Sequence, residues 1–291
     1  MIALRMGLLA LAAAVIAGCQ SSAPQSTQTL ALAAHQGPTI RAPQQEAPPP
    51  ARRSTQAPSV RTCGPSTVAG TGALAGRTIE VDSISDIKLG RREVVLTFDD
   101  GPRPGPTDRI LDTLDSYGVK ATFLVVGRMA SAYPAKVRKV ARRGHTIGTH
   151  TQRHPNLARM STRAAQKEIA VGDRSVAKAL SGSGYQAAPF FRFPYLADTR
   201  ALRRSLARRG VVVLDVDIDS KDYLRTSPAR VRARTLAKLR RRGRGVILFH
   251  DIHARTASML PGFLAALKRD GYKVVHLVPK GRGVACPQPA S

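Results

Sequence analysis

From residue 92 onward, short apolar runs alternate with amphipathic segments, and this alternation leaves few folds open to the chain. Seven apolar runs are predicted to be strands, and six segments between them are predicted to be helices. Such a chain builds a parallel sheet, and right-handed crossovers then leave a doubly wound sheet or a closed barrel. The predicted strands are residues 94–98, 121–126, 146–149, 190–193, 211–216, 246–249 and 273–277, and the predicted helices are residues 107–117, 134–143, 162–180, 199–209, 228–241 and 256–269.

Five polar clusters lie at the carboxyl ends of predicted strands. Asp99 and Asp100 follow the first strand and precede a Gly-Pro turn. Because the carboxyl ends of the strands in a barrel surround one mouth, clusters placed there converge on a single site. The other four clusters are residues 150–155, 192–195, 219–223 and 248–251.

The first two clusters contain residue types that suit a metal centre. His150 and His154 are four residues apart, so they lie on one side of a helical turn and could bind one metal ion. Asp99 and Asp100 would repel each other in a dry pocket, which favours giving one carboxylate to a cation and leaving the other as a base. Taken alone, a solvated turn and a chance histidine spacing also explain these residues.

Together the five clusters resemble the motifs of the polysaccharide deacetylases of the NodB-homology type, carbohydrate esterase family 4. The resemblance covers about residues 92–279, and the motifs occur in the family's order. It implies an α/β fold, namely a distorted (β/α) barrel with about seven parallel strands. This agrees with the seven strands counted from the apolar pattern.

The resemblance also implies a cofactor and a ligand set. Asp100, His150 and His154 would hold a divalent metal ion, with zinc as the expected metal. Two imidazoles and one carboxylate also suit cobalt or another first-row ion. The same triad occurs in iron oxygenases, but there it lies on a double-stranded β-helix rather than on a parallel α/β sheet.

The same resemblance assigns the proton-transfer residues. Asp99 would be the general base, held in its ionised form by the metal and by Arg192. His250 would be the general acid that protonates the departing amine, and Asp222 would orient it. The residues expected to contact substrate are Pro194, Tyr195, Tyr223 and Leu248, and the backbone N–H of Tyr195 would bind the oxyanion.

One departure from the family pattern concerns an aromatic residue. Tyr223 stands where the family usually has Trp, and the chain contains no Trp. A tyrosine offers less apolar area to a sugar ring, so the departure affects the shape of the pocket rather than the mechanism. Asp215 and Asp217 are further acids before this motif, and the sequence leaves open whether they line the groove.

The implied activity is removal of N-acetyl groups from N-acetylglucosamine units of an envelope glycan or a chitin-like oligosaccharide. One alternative is an esterase that removes O-acetyl groups from a xylan-type sugar. Another is a non-catalytic, glycan-binding envelope lipoprotein on the same fold. The complete metal and acid/base set argues against the non-catalytic alternative.

The N-terminal residues are typical of an exported lipoprotein. Residues 1–18 combine Arg5 with an apolar run that is too short to span a bilayer comfortably, which predicts a signal peptide. The following Ile16-Ala17-Gly18-Cys19 resembles a bacterial lipoprotein cleavage box, so Cys19 is predicted to carry a lipid anchor in the membrane. The alternative is an ordinary signal peptide with a chance cysteine. The expected location is the cell envelope.

Residues 19–62 are predicted to be a disordered tether, and residues 63–291 the deacetylase domain. The tether is rich in Ser, Gln, Thr, Ala and Pro and has too few large apolar residues to offset the entropy of ordering. Cys63 and Cys286 flank the folded region. In an oxidising compartment a disulfide between them is the default expectation.

The chain is strongly basic, with 46 Lys and Arg against 19 Asp and Glu. A net charge of +27 favours anionic surfaces, and an anionic envelope surface is the expected partner. Nucleic acid is not expected, because no recognition motif is present and export removes that partner. Most basic residues lie on predicted helices, where they also suit a solvated outer face.

Overall fold

The computed structural model describes residues 73–281, which fold into one parallel sheet surrounded by helices. Its strands are β1 (Ala75–Val81), β2 (Glu93–Asp99), β3 (Thr122–Val125), β4 (Thr146–Thr149), β5 (Phe190–Phe191), β6 (Val212–Val213), β7 (Ile218–Asp219), β8 (Gly245–His250) and β9 (Lys273–Pro279). Its α-helices are α1 (Pro106–Ser116), α2 (Gly127–Ala132), α3 (Pro134–Arg142), α4 (Thr162–Leu180), α5 (Arg200–Ala207), α6 (Pro228–Arg242) and α7 (Ala254–Arg269). None of the helices within residues 73–281 is long and apolar enough to cross a membrane.

β2 lies at the centre of the sheet. It pairs with β3 on one edge and with β8 along the other, and the neighbouring strands continue through β4, β5 and β6 on the first side and β7 on the second. β9 pairs with the first two residues of β2 and carries β1 at its outer edge. Every pair is parallel, so all carboxyl ends point the same way.

A buried arginine shows that the sheet is curled into a barrel. Arg192 directly follows β5, and its guanidinium reaches Thr97 and Asp99 of β2. Three strand spacings, roughly 14 Å, would separate β5 from β2 in a flat sheet, which is farther than an arginine side chain spans. The sheet must therefore close on itself to bring the two strands face to face.

The residues of β2 alternate between the outside and the inside of this barrel. Val94, Leu96 and Phe98 pack outward in the core shared with α1 and α7. Val95 packs inward against residues of β3, β5, β8 and β9. Thr97 and Asp99 also point inward, above Val95, because successive side chains of a strand face opposite sides. The interior is thus apolar at its base and polar at its mouth.

The predicted distorted barrel is confirmed, although within residues 73–281 the sheet has nine strands rather than about seven. The seven predicted strands are all present, but residues 190–193 and 211–216 each form only a two-residue strand. β1, β7 and α2 were not predicted. β1 was missed because its sequence is largely polar and it pairs only with β9 at the sheet edge.

Several predictions lie outside the described residues. These are the signal peptide, the lipid anchor on Cys19, the tether and the pair Cys63 and Cys286, and all of them stay predictions.

Candidate active site

Unfavourable backbone conformations concentrate at the mouth of the barrel. Among the described residues, seven other than glycine have a positive φ, and six of them lie in loops at the carboxyl ends of strands. Such backbone conformations cost energy, persist only where the surrounding structure holds them, and cluster at functional sites. The six are Asp100, Thr151, His154, Tyr195, Leu196 and Lys221, whereas Arg92 lies at the opposite end.

The predicted metal ligands lie together at this mouth. One ligand atom from each of Asp100, His150 and His154 falls within 4.8 Å of the others. Nε2 of His154 is 3.3 Å from Oδ1 of Asp100, and Nε2 of His150 is 3.6 Å from the same oxygen. Oδ1 of Asp100 is buried and has no hydrogen-bond partner in the protein. A buried carboxylate oxygen facing two imidazoles fits a divalent cation, which would satisfy it.

His150 is prepared as a ligand by its surroundings. Its Nδ1 lies 2.8 Å from the carbonyl oxygen of Arg192. A proton on Nδ1 donates to that carbonyl and leaves the lone pair of Nε2 directed at Asp100, the arrangement usual for metal-binding histidines. Burial lowers the pKa of His150 to about 3, which keeps the ring neutral at physiological pH.

Asp99 lies deeper in the same pocket and is almost completely buried. Its Oδ1 accepts a hydrogen bond of 2.8 Å from Nη1 of Arg192, while Oδ2 is 3.8 Å from Nε2 of His150. Burial raises the pKa of Asp99 above its ordinary value, although the charges of Arg192 and His250 oppose the rise. The neighbouring cations alone would favour the ionised form of Asp99, as predicted, but burial has the larger effect. A raised pKa makes this carboxylate a stronger base.

His250 stands directly opposite Asp99, because the two residues are register partners in β8 and β2. Its Nδ1 is 2.6 Å from Oδ1 of Asp222, and its backbone N–H donates to Oδ2 of the same carboxylate. Burial lowers the pKa of His250, but the hydrogen bond and charge of Asp222 outweigh burial and raise the pKa to about 9. His250 therefore carries a proton at neutral pH, with Nε2 as its remaining donor.

The loop that carries Asp222 is held by basic side chains. Lys238 donates to the carbonyl oxygen of Asp219, and Arg234 donates to those of Ser220 and Lys221. Arg255 donates to the carbonyl oxygens of Asp222 and Leu224. These three cations bind the backbone beside the site, so part of the high positive charge has a structural use.

The predicted substrate contacts surround the site on two sides. The ring of Tyr195 lies 4.7 Å from that of His154, and the ring of Tyr223 lies 5.6 Å from that of His250. Both tyrosines are exposed, and the Tyr223 hydroxyl donates to Asp219. Pro194 and Leu248 are buried, and Leu248 pairs in register with Thr97 and Asp219.

One buried residue of the site, Asp251, was not assigned a role from sequence. Asp251 accepts a hydrogen bond of 2.7 Å from Thr107, and a Cβ on Gly101 would lie within about 2 Å of its carboxylate. Burial raises the pKa of Asp251 to about 7. The Asp251 carboxylate therefore packs directly under the turn that presents Asp100. Its position immediately after His250 is the one signal in the sequence that could have indicated it.

Asp215 and Asp217, left open by the sequence, do not join the catalytic residues. Asp215 forms an ion pair with Arg203, and Asp217 accepts hydrogen bonds from Arg242 and from the backbone of Val246. Both acids are bound to neighbouring elements of the fold.

Comparison with known proteins agrees with this arrangement. Residues 86–214 match the family model described as polysaccharide deacetylase. The chain is 30% identical over 206 residues to a chitooligosaccharide deacetylase of Bradyrhizobium sp. strain ANU 289, a match that covers 66% of this chain and 91% of the relative.

Two further matches are with proteins that are named as peptidoglycan deacetylases. The chain is 31% identical over 200 residues to the peptidoglycan-N-acetylglucosamine deacetylase PgdA of Listeria monocytogenes, covering 69% of this chain but only 41% of the relative. A solved peptidoglycan deacetylase from Bdellovibrio bacteriovorus superposes with a TM-score of 0.62 at 31% identity, covering 75% of this chain and 61% of that one. The chain thus spans about two fifths of the Listeria protein.

Proposed function

The chain belongs to the polysaccharide deacetylase family, and from this premise we propose that it removes N-acetyl groups from N-acetylglucosamine units of an envelope glycan or a chitin-like oligosaccharide. The observation that carries the proposal is the placement of two proton-transfer residues next to each other at one mouth. Asp99 and His250 are register partners on adjacent strands, and the triad of Asp100, His150 and His154 lies at the same mouth. An amide needs both a base and an acid to be hydrolysed at neutral pH.

Asp99 accepts the proton of the attacking water at its Oδ2. Its other oxygen is occupied by Arg192, which is itself held by Thr97 and by the carbonyl oxygen of Leu214. Arg192 therefore fixes the direction of the free oxygen and moderates the rise in its pKa. A base held in this way loses little entropy on reaching the transition state.

His250 gives its proton to the leaving amine from Nε2. Asp222 binds Nδ1, so it fixes the tautomer and stabilises the imidazolium before the reaction begins. The Thr256 hydroxyl donates a hydrogen bond of 2.6 Å to the other oxygen of Asp222 and holds that carboxylate in place. The backbone N–H of Tyr195 is proposed to bind the oxyanion.

We propose zinc as the ion held by Asp100, His150 and His154, with cobalt or another first-row ion as the alternative. When bound, such an ion supplies a Lewis acid that polarises the acetamide carbonyl and increases the acidity of water.

We also propose that the protein is exported and anchored in the cell envelope through a lipid on Cys19. The high positive charge supports an anionic envelope surface as the environment of the domain. Replacing Cys19 by Ser should move the protein from the membrane pellet to the soluble fraction. A variant that still sediments with the membrane would contradict the anchor and leave the deacetylase proposal unaffected.

The activity is tested by acetate release from a panel of N- and O-acetylated sugars, with the metal content measured in parallel. We expect release from N-acetylglucosamine oligomers, loss of release in Asp99→Asn, and about one metal ion per chain. Release only from O-acetylated sugars would make the protein an ester-specific enzyme. Binding of oligomers without any release would support the non-catalytic, glycan-binding alternative.

A further inference from the structure

Leu196 has a backbone conformation that its side chain makes costly. Its φ is 55°, directly after Tyr195 with a φ of 60°. In the left-handed region the Cβ of an ordinary residue crowds the backbone, and for a bulky residue the conformation is an outlier. At ten other positions within the described residues, the chain uses glycine for a positive φ. Glycine at 196 would remove this cost, so the leucine side chain is retained against the preference of the backbone.

The side chain of Leu196 is also not buried in the core. It is 47% exposed, although an aliphatic side chain that stabilises a fold is normally buried. Of the seven residues other than glycine with a positive φ in the described part, Leu196 is the one aliphatic residue. Three of the others, Asp100, Thr151 and His154, belong to the metal site or the turn that carries it.

Leu196 follows a residue that contacts the site. Tyr195 contacts the ring of His154, and Leu196 follows it at the mouth. On the other side, Tyr223 contacts the ring of His250 and is followed by the exposed Leu224. Within residues 73–281, these two Tyr-Leu pairs account for four of the six exposed large hydrophobic residues. Exposed apolar groups concentrated at a site indicate a ligand with an apolar face.

We propose that Leu196 is a substrate-contacting residue, against which the apolar C–H face of a sugar ring packs next to the ring that loses its acetyl group. The inference rests on the proposed glycan substrate and adds a preference for chains of several sugars. A small acetate ester fills only the centre and does not reach Leu196. Covering about 50 Å² of apolar surface changes a binding constant by about 5–10-fold.

The test compares Leu196→Asn with Leu196→Met. Asparagine tolerates a positive φ but is polar, whereas methionine keeps an apolar side chain. For an N-acetylglucosamine pentamer, we expect Leu196→Asn to raise KM by about 5–10-fold with kcat within twofold, and Leu196→Met to stay within twofold of wild type. Hydrolysis of 4-nitrophenyl acetate should be unchanged in both variants.

Arg92→Asn is the matched control, because Arg92 has a φ of 63° and lies at the opposite end of the barrel. It should leave all kinetic constants unchanged. Its melting temperature, like that of Leu196→Asn, should be equal to or above that of wild type, since asparagine fits both backbones better. An unchanged KM in Leu196→Asn, or equal losses on the pentamer and the ester, would overturn the proposal.

A failure of the proposed function gives a different result. If wild type releases no acetate from any oligomer, the deacetylase proposal fails, and calorimetry of the intact pentamer then tests Leu196 directly. At least fivefold weaker binding by Leu196→Asn than by wild type supports the contact. Equal binding, or no binding by wild type, refutes it.

Discussion

Replacing Asp222 by Asn should reduce activity strongly at alkaline pH and only slightly at acidic pH. Asp222 is buried and binds His250 twice, at Nδ1 over 2.6 Å and at the backbone N–H over 2.8 Å. The substitution removes a negative charge and keeps the size of the side chain. Because the charge is what holds the proton on His250, the acid should become neutral at a lower pH.

The magnitude follows from the pKa of His250. A value of about 9, against the ordinary 6.5, corresponds to about 3 kcal/mol in favour of the imidazolium. Without Asp222, burial lowers the pKa of His250 and only Asp100 and Asp99 raise it, so the pKa should fall from about 9 towards or below the ordinary 6.5. At the ordinary 6.5, the protonated fraction at pH 8 would be about 0.03 instead of about 0.9, whereas at pH 6 it would still be above about 0.7.

The assay is kcat/KM for an N-acetylglucosamine oligomer between pH 5 and pH 10. For wild type we expect an alkaline limb near pH 9, reporting the acid in the free enzyme. In Asp222→Asn this limb should move down by about 2.5 units if the pKa falls to 6.5, and the loss of activity should then be about 20-fold larger at pH 8 than at pH 6.

Thr256→Val is the control, because it removes one hydrogen bond to Asp222 and leaves the charge in place. Its alkaline limb should stay within about half a unit of wild type. If Asp222→Asn is folded and keeps the alkaline limb of wild type, then either His250 is not the proton donor or Asp222 does not set its pKa.

Three other predictions concern the acid, the metal and stability. His250→Ala should reduce N-deacetylation by about 10²-fold or more while largely sparing an activated acetate ester, because an amine leaves poorly unless it is protonated; amide cleavage near the wild-type rate would refute this assignment. His154→Asn, which suits the φ of 63° at this position, should lose bound metal and activity but keep its circular dichroism spectrum, and a full metal complement would contradict the ligand set. Burial lowers the pKa of His276 to about 4 in the folded protein. Between pH 6.5 and pH 4 the unfolded chain therefore binds one proton more than the folded chain does, and about 3 kcal/mol of stability should be lost as the pH falls through this range. His276→Gln should flatten the dependence of the unfolding free energy on pH in that range by about one proton, and an unchanged slope would exclude this histidine as a cause.

Local sequence brings the residues of the proposed metal site to one place, and the family resemblance then assigned Asp100 rather than Asp99 as the ligand. A run such as residues 94–98 is apolar on both faces, and the acids follow at its end, where a parallel strand delivers its side chains to the mouth. The spacing of His150 and His154 depends on a single turn of chain. Neither inference requires knowledge of distant contacts.

The role of Asp251 could not be predicted, because it depends on a contact across the fold. Thr107, its hydrogen-bond donor, is 144 residues away, and the close approach to Gly101 exists only when β2 and β8 are side by side. Similarly, only the ion pairs with Arg203 and Arg242 distinguish Asp215 and Asp217 from candidate groove residues.

The sequence by itself determined a parallel α/β sheet with polar motifs at the carboxyl ends of its strands, because both follow from periodicity and from positions relative to strand ends. Periodicity left a doubly wound sheet and a barrel open, and the family resemblance favoured the barrel. Only the tertiary structure decided how far the charges act on each other. Burial raises the pKa of Asp99 against the charge of Arg192, whereas Asp222 raises the pKa of His250 against burial. Arg192 and Asp222 lie on other strands and loops than the residues they act on. The conformation of Leu196 is likewise invisible in sequence, since a backbone dihedral in a loop is set by the packing around it.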